Sequence, residues 1–182
     1  MEINDNKSSN IIFITGGTKS GKSEFAEYLG KKIKNITYIA LSDSRPNDNN
    51  WQKKIIQHKK RRPTEWGLIE TNNLIDTLKS ENGPILIDSI GGFIMESINK
   101  NDEEWNNKIH LLLDLLKRRV KTTLIVGEQV GWSLVSEHEI GNKYIERLGD
   151  LQKKITRISG ENWLTLNGRA IKLDSISFEI PS

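Results

Sequence analysis

The chain contains no cysteine, and that absence removes three kinds of chemistry together: disulfide staples, thiolate metal sites and cysteine nucleophiles. Histidine is scarce as well, so His58, His110 and His138 are the only imidazoles that could act as nucleophile or base near neutral pH. No apolar run approaches the roughly 18 residues of a membrane span. Residues 1–10, MEINDNKSSN, are polar rather than signal-like. These features lead to the expectation of a cytoplasmic protein with a disordered tail over residues 1–10. Neither sign of charge dominates: 27 basic residues are interspersed among 24 acidic ones, for a net charge of +3. That balance is unlike a general nucleic-acid binder. No internal repeat or low-complexity stretch is present. At 182 residues and 35% hydrophobic content, residues 11–182 suit one domain with a sizeable core.

What is present is organised around residues 11–23. Ile11, Ile12, Phe13 and Ile14 form a short apolar run, followed by Gly16, four residues, then Gly21-Lys22-Ser23. This is the spacing of a phosphate-binding loop. A turn that wraps a phosphate with backbone N–H groups needs glycine where a side chain would collide or φ is positive. In such a loop the lysine, here Lys22, reaches the β- and γ-phosphates, and the serine, here Ser23, holds Mg²⁺. Phe25, Leu29 and Ile33 recur at helical spacing, so the loop opens a helix N-terminus, which favours anions.

Residues 36–40 are a second β-rich run, followed by a polar stretch that contains Pro46. Residues 51–62 read as a helix stopped before Pro63. The cluster His58-Lys59-Lys60-Arg61-Arg62 at its end reads three ways: a solvated helix end, a phosphate-facing patch or a nucleic-acid contact. Composition alone favours the first. A short strand at residues 68–70 and an apolar helix face at Leu74, Ile75 and Leu78 precede Pro84-Ile85-Leu86-Ile87-Asp88. That apolar strand ending in a carboxylate is similar to a Walker B element, in which Asp88 orders the Mg²⁺ shell. The bland alternative is an aspartate that caps the next turn.

Ile109, Leu112, Leu113, Leu116 and Val120 fit one helix stripe, and residues 122–126 a further strand running into Gly127-Glu128-Gln129-Val130-Gly131. Tyr144, Leu148, Leu151, Ile155 and Ile158 describe a long amphipathic helix, the one interface candidate that the sequence offers. Residues 163–173 read as a hairpin turning at Asn167-Gly168. The expected fold is α/β and P-loop NTPase-like: three layers, a mostly parallel sheet with helices on both faces, and a C-terminal antiparallel hairpin. Its ligand belongs beyond the carboxyl ends of the strands.

The pattern resembles the bifunctional adenosylcobinamide kinase and adenosylcobinamide-phosphate guanylyltransferase family of the cobalamin pathway, over nearly the whole chain. The residues that carry the resemblance are the doubled glycine of Thr15-Gly16-Gly17-Thr18-Lys19-Ser20-Gly21-Lys22-Ser23, then Tyr38-Ile39-Ala40-Leu41-Ser42. The most specific is His58-Lys59-Lys60-Arg61-Arg62-Pro63-Thr64-Glu65-Trp66, followed by Glu70. The family's Glu-Val-Gly element survives approximately as Gln129-Val130-Gly131, with Glu128 one position earlier.

The resemblance implies two reactions at one nucleotide site: phosphorylation of adenosylcobinamide by ATP or GTP, then GMP transfer from GTP through a histidine. His58 stands at the histidine position, and the cations Lys59 to Arg62 favour its neutral, nucleophilic form. His58 and Lys22 are then the catalytic residues. Nucleotide contacts fall to Gly16, Gly17, Thr18, Lys19, Ser20, Gly21, Lys22 and Ser23, to Ala40, Leu41 and Ser42, and to Lys59, Lys60, Arg61, Arg62, Glu70 and Asp88. Ser23 and Asp88 would hold Mg²⁺. The implied partners are small molecules and further copies of the chain, as a homotrimer, with no nucleic acid and no membrane span. The competing readings are a small-molecule kinase without guanylyl transfer and a non-catalytic nucleotide-binding module.

Overall fold

The computed structural model describes residues 9–41, 61–132 and 137–181. Its sheet follows from strands whose successive side chains are both buried. In β1 (Ile11–Gly16), Ile11 and Phe13 join one apolar cluster while Ile14 joins another. The fourth strand, β4 (Ile85–Asp88), divides in the same way, with Ile85 and Ile87 on one side and Leu86 on the other. A strand buried on both faces needs a cover on each. Helix α1 (Lys22–Gly30) supplies one through Ala26. The other comes from α2 (Leu74–Ser80), α3 (Gly91–Glu96), α4 (Asp102–Lys117) and α5 (Glu139–Ile158), through residues such as Leu74, Phe93, Leu112 and Leu151.

Among the described residues seven strands form one sheet in the order β3-β2-β4-β5-β1-β6-β7. The remaining strands are β2 (Thr37–Leu41), β3 (Gly67–Thr71), β5 (Thr123–Glu128), β6 (Glu161–Leu166) and β7 (Arg169–Lys172). Each adjacent pair is parallel except β6 with β7. The three-layer α/β expectation holds, with one refinement: β6 pairs with β1 in parallel, so β7 alone runs against the sheet. The hairpin turns where expected, since Asn167 and Gly168 both have positive φ (50° and 75°), as a two-residue turn requires.

Several boundaries differ from the sequence reading. Val120 is 78% exposed beyond the end of α4, so that stripe stops at Leu116. Helix α5 begins at Glu139, ahead of its apolar stripe. Leu148, Leu151 and Ile155 on that stripe are buried in the core, so the segment offered as an interface packs inside the molecule. The tail at residues 1–8 and the polar stretch with most of the helix expected before Pro63, residues 42–60, lie outside the described residues. Among the described residues no helix is long and apolar enough to cross a membrane.

Candidate functional site

The carboxyl ends of the strands gather most of the described candidate residues. Strand β1 delivers the loop to α1 through Gly16, which pairs with Glu128 of β5 on one side and Thr165 of β6 on the other. Gly16 must be glycine because a Cβ there would run into the hydroxyls of Ser20 and Thr165. Lys19 (φ 58°) and Gly21 (φ 96°) are left-handed, which folds the chain back on itself before the helix. Gly17 is different: a Cβ there would meet nothing within 4 Å. The Lys22 ammonium arches across the loop and donates to the Gly17 carbonyl at 3.1 Å. Thr18 and Lys19 are exposed, and Ser23 lies in the first turn of α1. Ser20 is buried, and its hydroxyl meets Thr165 Oγ1 at 2.8 Å, so the side chain faces the hairpin.

Asp88 ends β4 two strands from β1, because β5 lies between them. The Tyr38 hydroxyl donates to Asp88 Oδ2 at 2.7 Å. Burial, and then the neighbouring Asp88 charge, push the Tyr38 phenol well above its ordinary range, so it remains a donor. The Arg62 guanidinium stacks 4.0 Å from the Tyr38 ring centroid. Ala40 pairs with Asp88 on one side and with Glu70 on the other, setting the three in a row across the sheet. Glu70 stands exposed on the edge strand β3, and the Leu41 side chain is core.

Between the loop and Asp88 stands Glu128. Ser89 Oγ donates to its Oε1, the Gly91 N–H to its Oε2 at 3.2 Å, and the Gln152 amide to its main-chain oxygen at 2.7 Å. A Cβ on Gly91 would strike the Tyr144 hydroxyl and the Glu128 carboxylate. Burial pushes the Glu128 carboxyl above the usual range; Ser89 opposes this, Asp88 adds to it and Lys22 opposes it. Gln129 turns instead to Gln152, donating at 3.2 Å.

Arg61 is committed elsewhere than the loop: it bonds Glu24 at 2.6 Å and the buried Glu27 at 3.1 Å, both on α1. Burial raises the Glu27 pKa even though Arg61 lowers it. Ser42, His58, Lys59 and Lys60 lie outside the described residues. His110 is exposed on α4, and His138 stands at the N-cap position of α5 without a side-chain capping bond.

Sequence reasoning missed Tyr38, Glu27 and Thr165. Period-two alternation in β2 places Tyr38 on the same face as Ala40, toward α1, and was the available signal. Glu27 and Thr165 carry none, because their partners are distant in the chain.

The profile of the cobinamide kinase / cobinamide phosphate guanyltransferase family matches residues 12–173. The chain belongs to this family of enzymes. It is 26% identical to the bifunctional adenosylcobalamin biosynthesis protein CobU of Salmonella typhimurium, over 90% of this chain and 99% of that protein. The protein of the same name from Escherichia coli is 24% identical over the same shares. A solved protein from Pyrococcus horikoshii superposes with a TM-score of 0.51 at 8% identity, covering 94% of this chain and 91% of that one, a likeness of fold alone. The family match takes in the loop, Arg61, Asp88, Glu128 and Thr165 together.

Proposed function

We propose that the loop at residues 16–23 holds the triphosphate of ATP or GTP, and that the chain carries out both reactions of its family. In the first, the aminopropanol hydroxyl oxygen of adenosylcobinamide bonds to the γ-phosphorus and loses its proton, while the bridging bond to the β-phosphate breaks and releases ADP or GDP. In the second, a nitrogen of His58 attacks the α-phosphorus of GTP; a P–N bond forms, the bond to pyrophosphate breaks, and GMP then passes to a phosphate oxygen of adenosylcobinamide phosphate. The product is adenosylcobinamide-GDP, an intermediate of cobalamin biosynthesis.

The observation that carries this reading is the loop itself. Left-handed Lys19 and Gly21 bend the backbone immediately before the N-terminus of α1, and Lys22 already lies across the loop. Backbone donors, the helix N-terminus and one cation converge where a triphosphate would lie. Lys22 would neutralise the β- and γ-phosphate oxygens, and Glu128 stands between the loop and Asp88 on the intervening strand. The donor set fits Mg²⁺: the Ser23 hydroxyl and one carboxylate, Asp88, are hard oxygen ligands of the kind Mg²⁺ takes together with substrate phosphates. When bound, the ion neutralises charge on those phosphates.

The test is incubation with Mg²⁺ and GTP labelled at the α-phosphate, followed by denaturation, comparing wild type with His58→Ala. Acid-labile label that forms with pyrophosphate release and is lost in the variant is the expected result. An unlabelled wild type that still binds GTP refutes guanylyl transfer through His58 and leaves a kinase alone.

A further inference from the structure

We infer that Thr165, on the C-terminal hairpin, is a positioning residue for nucleotide binding, because it sets the backbone of the phosphate loop from behind. The Thr165 hydroxyl donates to the Thr15 carbonyl at 3.1 Å. A hydroxyl has one proton to give. In the 2.8 Å contact with Ser20, therefore, Ser20 is the donor and Thr165 the acceptor. Both side chains are buried, at 5% exposure for Ser20 and 2% for Thr165, so neither hydroxyl can exchange its partner for water.

A second grip comes from the hairpin turn. The Gly168 N–H donates to the Ser20 carbonyl at 3.0 Å. Its Cα lies 3.6 Å from where a Cβ on Gly21 would stand. Ser20 is thus held at its hydroxyl and at its carbonyl, both by the hairpin. It directly precedes Gly21, the left-handed residue that turns the loop into α1 and aims Lys22. The hairpin is itself part of the sheet, since Thr165 pairs with Gly16 in the parallel ladder of β1 and β6. The loop is therefore fixed from both ends before any ligand arrives, and a loop ordered in advance gives up less entropy when it binds.

This inference rests on the loop being the nucleotide site, and the experiment separates the two. Calorimetric titration with Mg²⁺ and GTP compares wild type with Thr165→Val, Thr165→Ser and Ser20→Ala. The expected result is GTP affinity about tenfold lower for Thr165→Val and within about twofold of wild type for Thr165→Ser, since valine gives up both buried hydrogen bonds of the hydroxyl, to Thr15 and from Ser20, and serine keeps both. In turnover with cobinamide, the nucleotide KM rises by the same factor while kcat stays near wild type. Unchanged affinity in Thr165→Val, or equal weakening in Thr165→Ser, overturns the inference. Should Thr165→Val not fold, Ser20→Ala removes the Ser20–Thr165 bond from the loop side, and unchanged affinity there overturns it equally. A wild type that binds GTP without phosphorylating cobinamide overturns the proposed function and leaves the positioning role standing; one that binds no GTP overturns both.

Discussion

Gly16 and Gly17 are neighbours in the chain, and replacing each by alanine is expected to give opposite results. At Gly16 the added methyl would lie 2.7 Å from the Thr165 carbonyl oxygen, which is backbone and cannot swing aside, and would also strike the Ser20 and Thr165 hydroxyls. Overpacking of a buried site is worth about 1–3 kcal/mol. Displacing the Ser20–Thr165 and Thr165–Thr15 hydrogen bonds adds about 1 kcal/mol each. The sum, about 3–5 kcal/mol, is a large share of the roughly 5–15 kcal/mol that holds a domain folded. At about 2–4 °C of Tm per kcal/mol for a chain of this length, Gly16→Ala melts about 6–20 °C below wild type. At Gly17 nothing lies within 4 Å of the new methyl and φ is not left-handed. Stability there is unchanged, or rises by about 0.4–1 kcal/mol as the unfolded chain loses freedom. The methyl instead occupies the open side of the loop, and GTP affinity drops by about tenfold or more. Thermal melting and GTP titration of the two variants decide the matter. Equal losses of Tm, or a Gly17→Ala variant that binds GTP as wild type does, would refute the assignment of one glycine to the interior and the other to the ligand.

Two further predictions follow from the carboxylates. Because burial raises the Glu128 pKa in the folded chain, the native state holds a proton that the unfolded state has released once pH passes the ordinary glutamate value, so this group lowers stability as pH rises toward its folded pKa. Glu128→Gln should therefore melt higher than wild type at neutral pH and lose that advantage near pH 4; a constant difference across pH would count against it. Arg61→Ala takes the Arg61 guanidinium away from Glu27, which is 3% exposed and feels the Asp88 charge. With Arg61 itself a third exposed, the loss is expected at up to about 3 kcal/mol in urea denaturation, below the range for fully buried pairs. Adding Glu27→Gln to that variant should recover part of it.

Much of the fold was legible because it is local. Short apolar runs disclosed β1 and β4, a period near 3.6 disclosed α1 and α5, and Asn167-Gly168 disclosed the hairpin, since each depends on residues a few positions apart. The order of the strands is not local. Nothing in the spacing says that β5 inserts between the loop strand and Asp88, and that insertion is what puts Glu128 beside Lys22 and Asp88. The same limit applies to the basic run: its composition shows four cations in a row, while Arg61 takes its partners from α1, more than thirty residues earlier. The motif does not show that the Ser20 hydroxyl bonds Thr165, which follows from β6 lying alongside β1. Of the site residues, those defined by backbone geometry were readable, and those defined by a distant partner were not.

The grip of the hairpin on the loop also has a consequence for how the protein is made. Ser20 and Thr165 are 145 residues apart, so at about 5–20 residues per second some 7–30 seconds of translation separate the loop from its clamp. Through that interval the phosphate-loop sequence has been made while its partner Thr165 on β6 has not. Among the described residues β6 is the sixth of seven strands in chain order, so on the proposed reading the loop is clamped only once most of the sheet has been made. On that reading, full affinity for nucleotide would arrive late, as a sign that the sheet is nearly complete.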